Sequence, residues 1–164
     1  MESILSYTII IVFIVISVYV YNIRKNTTRT FLLSDQHYPI ASLNVWIQKE
    51  KGKIESIIIE VKNREKLRIV DIKTELITGK REFNYYDHMQ LSNSNPMPVD
   101  LSPDKDYKME LPFNSFKELM SEGKHPFRTF RFVVEGDDGK TFKSHELGFN
   151  SKWVIYRPDT GSYN

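Results

Sequence analysis

The chain contains no cysteine. That absence removes disulfides, thiol catalysis and cysteine-based zinc sites together. It fits a cytoplasmic setting without requiring one. Glycine and proline number only seven each in 164 residues, which excludes collagen-like and low-complexity readings. Charge of one sign is scarce as well. The formal net charge is +2, and without a basic stripe this balance argues against a nucleic-acid partner. Neither a glycine-rich phosphate loop nor a Gly-x-Ser-x-Gly elbow occurs. No grouping for catalysis is visible, so the expectation is a non-enzyme without cofactor or metal.

What is present begins with residues 3–23, which carry no charged side chain. Their centre, Ile9 to Ile16, is an unbroken apolar run. A helix of about 20 such residues spans a hydrocarbon core of roughly 30 Å, and each central Ile, Val or Phe favours insertion. Tyr7, Tyr19 and Tyr21 lie toward the two ends, where aromatic rings favour the headgroup level. A cleaved signal peptide requires a basic start and a small-residue cut site. Met1-Glu2 and Tyr19-Val20-Tyr21-Asn22 supply neither. The expectation is a retained single-pass transmembrane helix over 3–23, with the lipid bilayer as its partner. Arg24, Lys25 and Arg29 follow it and no Lys or Arg precedes it. The positive-inside bias then puts the remainder of the chain in the cytoplasm, an extracytoplasmic placement being the alternative. Asn26-Thr27-Thr28 spells a glycosylation acceptor, too close to the bilayer to be used.

Residues 24–36 are polar and basic and read as a juxtamembrane tether, within which Phe31-Leu32-Leu33 either lies at the interface or begins the domain. Roughly 130 residues remain, the size of one domain with one core. From Ala41 the pattern has period two, the mark of half-buried strands. Leu43, Val45 and Ile47 line one strand, and Ile57, Ile59 and Val61 the next. Val70, Ile72, Thr74 and Leu76 line another, opposite Asp71, Lys73 and Glu75. A short aromatic strand over 81–86 precedes the longest loop, 88–98. Tyr107, Met109 and Leu111 alternate next. Asn114 caps a predicted helix over 115–122, closed by Gly123. Phe130, Phe132 and Val134 face Thr129, Arg131 and Val133 before a hairpin turn at 135–140. A last strand is expected over 152–156.

Seven or eight short strands with near-regular turn signals predict an all-β fold, an antiparallel β-sandwich over 37–157 with a polar tail over 158–164. Residues 101–111 resemble the turn-into-strand segment common in immunoglobulin-like sandwiches. That resemblance implies an immunoglobulin-like topology, with a small barrel or lipocalin-like closure as the alternative.

Asp159-Thr160-Gly161-Ser162 spells the aspartic-protease signature, but Arg157-Pro158 stands where an apolar strand should lead in. The chemistry also needs a second carboxylate sharing a proton. A polar turn is the better reading. Asp137-Asp138-Gly139 and Asp104-Lys105-Asp106 lack the one-in-two spacing of a calcium loop and read as turns. His37, His88, His125 and His145 have no i,i+2 or i,i+4 partner and read as surface or loop residues.

The aromatic supply is more informative. Trp46, Tyr85, Tyr86, Trp153 and Tyr156 are the candidate partner contacts, because neighbours such as Tyr85 and Tyr86 cannot both enter one core. The expectation is a non-catalytic module that contacts another protein at the membrane. The alternative is an enzyme or small-ligand site assembled near the 86–98 loop, around Tyr86, Asp87 and His88.

Overall fold

The computed structural model describes residues 2–78, 83–87, 97–122, 128–150 and 152–158. It begins with helix α1 (Glu2–Asn26), followed by strands β1 (Arg29–His37), β2 (Ala41–Glu50) and β3 (Lys53–Asn63). Next come β4 (Leu67–Ile77), β5 (Phe83–Asp87), β6 (Val99–Leu101) and β7 (Asp106–Pro112). Helix α2 (Phe113–Glu122) leads to β8 (Thr129–Gly136), β9 (Thr141–Lys143), β10 (Gly148–Phe149) and β11 (Ile155–Tyr156). The fold is all-β apart from its helices. One antiparallel sheet has the order β1-β2-β3-β7, and the other has β5-β4-β8-β9 with β6 also on β4. A two-stranded β10-β11 ribbon lies beside them.

Alternation along the strands explains why the two sheets meet. Leu43, Val45, Ile57, Ile59, Met109 and Leu111 from the first sheet are sealed from solvent, as are Ile69, Ile72, Phe130, Phe132 and Val134 from the second. They form a single cluster between the sheets. Burying a Leu, Ile or Phe side chain contributes roughly 1.5–3 kcal/mol, so this layer is the main source of stability. The amphipathic helix α2 adds Phe113, Phe116 and Met120 to it. The Phe116 ring lies 5.6 Å from that of Phe130 and 5.8 Å from that of Phe132. At the β2–β3 hairpin, Lys51 and Gly52 have φ of 51° and 79°. Two positive values in a two-residue loop match the twist of the flanking strands.

Four differences from the period-two reading have local causes. Residues 29–36 are not a tether, because Arg29–His37 forms a nine-residue strand on β2. Only Thr27 and Thr28 separate α1 from it. In β4 the register shifts between Ile69 and Asp71, so Ile69 enters the core while Val70 is left 42% exposed. A bulge of one residue reverses faces in this way. The predicted strand over 152–156 shrinks to Ile155–Tyr156. Trp153 has φ 56°, and Asn150 Oδ1 accepts the backbone N–H groups of Lys152 and Val154, which holds a turn there. The helix predicted over 115–122 starts earlier, at Phe113. Gly123, the 88–96 portion of the long loop and the 159–162 signature lie outside the described residues.

Side chains of α1 are described at residues 7 and 9–23, and those from Ile9 to Ile16 are all at least half exposed. Among the described residues, no helix is long and apolar enough to cross a membrane.

Truncating Phe116 to Ala should lower unfolding stability by about 3–5 kcal/mol, since the cavity would open beside the rings of Phe130, Phe132 and Phe149. Phe31→Ala, at a site 43% exposed, should change it by less than about 1 kcal/mol. Urea melts of both variants check this contrast, and equal losses would contradict the assigned core.

Candidate interaction surface

The outer face of the first sheet is set by strand register. Leu32 pairs with Trp46, Trp46 with Ile58, and Ile58 with Glu110. Leu32 is exposed, whereas Trp46 and Ile58 are half-buried. The three form an apolar row across β1, β2 and β3. A polar row runs beside it, because Asn44 pairs with Glu60 and Glu60 with Lys108. Asn44 Nδ2 and Trp46 Nε1 donate to Glu60 Oε2 at 3.2 and 3.4 Å. Lys108 and Lys62 reach the same carboxylate at 3.0 and 3.6 Å. Burial pushes the Glu60 carboxyl up, but hydrogen bonds from Lys108 and Asn44, with the charges of Lys108 and Lys62, outweigh it. They hold it below the usual carboxylate range, so Glu60 stays ionised and keeps the Trp46 indole oriented.

The second sheet carries a comparable device. Glu75 is buried, and both Arg131 Nε and Lys143 Nζ contact its carboxylate. A buried carboxylate of this kind depends on its cations, because either partner alone would be left desolvated.

The other predicted contacts lie elsewhere. The Trp153 ring meets Phe149 edge-on at 5.0 Å, with Lys117 Nζ of α2 5.6 Å above it. Tyr156 pairs with Gly148 and covers it, so that a Cβ at Gly148 would fall 2.7 Å from the Tyr156 ring. Tyr85 and Tyr86 are opposite Glu75 and Thr74 in the β4–β5 ladder, and their side chains lie outside the described residues. Trp46 thus belongs to the first sheet, whereas Trp153 and Tyr156 lie at the β10–β11 ribbon. Most of the 86–98 loop, including His88, is likewise outside them. Among the described residues, no three His, Asp or Glu side chains converge as a metal would require.

A polar clasp was not visible in the sequence. Ser34 of β1 is fully buried; its Oγ accepts the His145 backbone N–H at 2.9 Å and lies 3.1 Å from Nδ1. Arg157 Nη2 lies 3.0 Å from Nε2, which Gln36 also contacts. Arginine can only donate, so Nε2 must accept and Nδ1 carries the proton, donating to Ser34. Next to it the Tyr38 hydroxyl donates to the Lys143 carbonyl and accepts the Lys143 N–H, each at 2.7 Å. These bonds tie β1 and its following turn to the end of β9. The sequence carries no signal of this clasp, because Ser34 stands at the head of the polar run Ser34-Asp35-Gln36-His37.

The chain matches no protein-family model, no curated protein and no solved structure.

Burial lowers the His145 imidazole below its ordinary value of 6.5; Arg157 adds to this and Asp35 opposes it. The unfolded chain therefore takes the proton first. The clasp contributes fully above about pH 6.5 and weakens as pH falls toward the folded value. An NMR titration should show His145 with a midpoint below 6.5, and Arg157→Gln should raise that midpoint. A midpoint at or above 6.5 in the unmodified chain would contradict the neutral-imidazole assignment.

Proposed function

We propose that this chain is a single-pass membrane protein whose β-sandwich serves as a non-catalytic protein-interaction or assembly module at the membrane surface, on the cytoplasmic side. The observation that carries this reading is α1. Its described residues alone do not amount to a span, so the support is the uncharged run over 3–23 together with the side chains from Ile9 to Ile16, which are exposed rather than packed on the domain. A soluble domain has no reason to leave eight consecutive apolar side chains in water. The basic residues Arg24, Lys25 and Arg29 on the domain side support the orientation.

Strand order supports an immunoglobulin-like topology. Consecutive strands β3 and β4 lie in different sheets, β3 pairs with β7 and β4 with β8. This crossing of two strand pairs between sheets is the Greek-key feature of such sandwiches. The contact surface most consistent with the role is the outer face of the first sheet. There an apolar row of Leu32, Trp46 and Ile58 borders the Glu60 cluster and continues to β1, an edge strand. A partner could add a strand to that edge and cover the row in the same step.

The test is protease accessibility of the domain in intact cells, with lysed membranes as control, after alkaline extraction. The chain should remain in the membrane pellet, and the domain should be degraded only after lysis. Release by alkali would remove the anchor. Degradation in intact cells would place the domain outside.

A further inference from the structure

The end of the sandwich nearest α1 holds a cleft of 520 Å³ between the last turns of that helix, the start of β1 and the β2–β3 hairpin. Arg29, Lys49 and Lys51 line it together with Tyr21, Thr27, Phe31 and Gly52, and among the described residues no carboxylate is part of its walls. This is a selective arrangement, since the chain as a whole carries nearly as many acids as bases. Lys49 Nζ sits 5.3 Å from the centre of the Phe31 ring, so its cation is already held over an aromatic face. Among the described residues, neither Arg29 nor Lys49 has a carboxylate at ion-pair distance. Lys51 has only an exposed 3.7 Å pair with Glu50, which is weak at such a site.

Two features decide what such a cleft takes. Thr27 Oγ1 donates to the Ile23 carbonyl at 2.6 Å, so one terminal acceptor of α1 is already occupied. The helix end nonetheless carries negative dipole character, and an anion there must be held by the side-chain cations. Tyr21 and Phe31, both on the cleft walls, are 63% and 43% exposed. A free phosphate would leave both rings in water, whereas a phosphodiester carrying a glycerol backbone would cover them.

We infer that this cleft is a binding site for the phosphate headgroup of an anionic phospholipid, set where α1 meets the β-sandwich. The inference rests on α1 being the membrane anchor, because only then does the cleft lie at headgroup depth. Arg29 supplies a forked donor to two phosphate oxygens, and Lys49 and Lys51 supply point charges. Such a site would fix the rotation of the domain about the α1 axis.

The experiment reconstitutes the full chain into vesicles of equal phosphatidylcholine and phosphatidylglycerol. Flotation is scored first, then mild-detergent extraction and mass-spectrometric counting of the lipids retained. The chain should float and retain phosphatidylglycerol in preference to phosphatidylcholine. The triple variant Arg29→Gln, Lys49→Gln, Lys51→Gln should float equally and lose the preference by about 10- to 100-fold. The charge-preserving variant Lys49→Arg, Lys51→Arg should keep it, which separates loss of charge from loss of side-chain shape. Floating without a preference, or a preference that survives the triple variant, would overturn the site while leaving the anchor standing. Failure to float overturns the anchor, and the site with it. Inorganic phosphate at about 10 mM should not displace the retained lipid; displacement would make free phosphate the ligand and overturn the lipid assignment.

Discussion

Whatever this domain does depends on how β1 is fastened, because β1 is the only strand joined directly to α1 and it contributes little to the core. Arg29, Thr30, Phe31 and Leu32 are all exposed, so the first half of the strand is held by its backbone ladder to β2. The second half keeps its pairing to β2 and adds a polar fastening. Ser34 is buried, and its hydroxyl lies between the His145 backbone N–H and the His145 ring. Tyr38 secures the following turn to Lys143 and rests edge-on against Phe142 at 5.1 Å. An unpaired buried hydroxyl costs about 1–3 kcal/mol, so each partner in the clasp is held by what its loss would expose. The hydrophobic layer between the sheets therefore makes the domain stable, while the polar clasp adds a second fastening to the half of β1 that lies farther from α1.

The layer itself was legible because a half-buried strand writes its environment at every second residue. Leu43-Val45-Ile47, Ile57-Ile59-Val61 and Phe130-Phe132-Val134 all lie where alternation put them. What alternation cannot register is the insertion of one residue. In β4 the bulge reverses the faces, so that Ile69 and Ile72 enter the core while Val70 faces water. In β1 a similar shift occurs between Leu32 and Ser34, and the strand consequently read as a polar tether. Polar contacts were the least visible, since they join residues far apart in the chain. His145 has no histidine or carboxylate neighbour at helical or strand spacing, yet Ser34, Gln36 and Arg157 surround it. The aromatic candidates were distributed by the same logic. Trp46 sits on an outer sheet face, Trp153 in a turn against Phe149, and Tyr156 over a glycine.

Glu60 and Glu75 show a second constraint of this fold. Each is a carboxylate sealed on the outer side of its sheet rather than inside the sandwich, under the stems of two cations. Long basic side chains cover carbon while their heads stay wet, so a sheet face can lose most of its contact with water without an apolar covering. That covering is incomplete on the first sheet. Leu32, Trp46 and Ile58 remain in one row, and only the Trp46 nitrogen is tied down.

The edge beside that row is where pairing with other chains has to be limited. A long flat edge strand is a template for pairing with other chains. β1 counters that with a bulge after Leu32, with Arg29, Asp35 and His37 along its length, and with twist from the irregular register. The protection is uneven, since the bulge and the Asp35 and His37 side chains lie in the second half, which the His145 clasp already occupies. Arg29 to Leu32 keep regular pairing on one side and an open ladder on the other. A strand arriving from a partner would find its hydrogen bonds and the apolar row together only at that half. The same half borders the basic cleft beside α1. On the anchored reading, lipid contact and strand addition would then compete for, or jointly order, one four-residue stretch, which makes residues 29–32 the place where membrane and partner can influence each other.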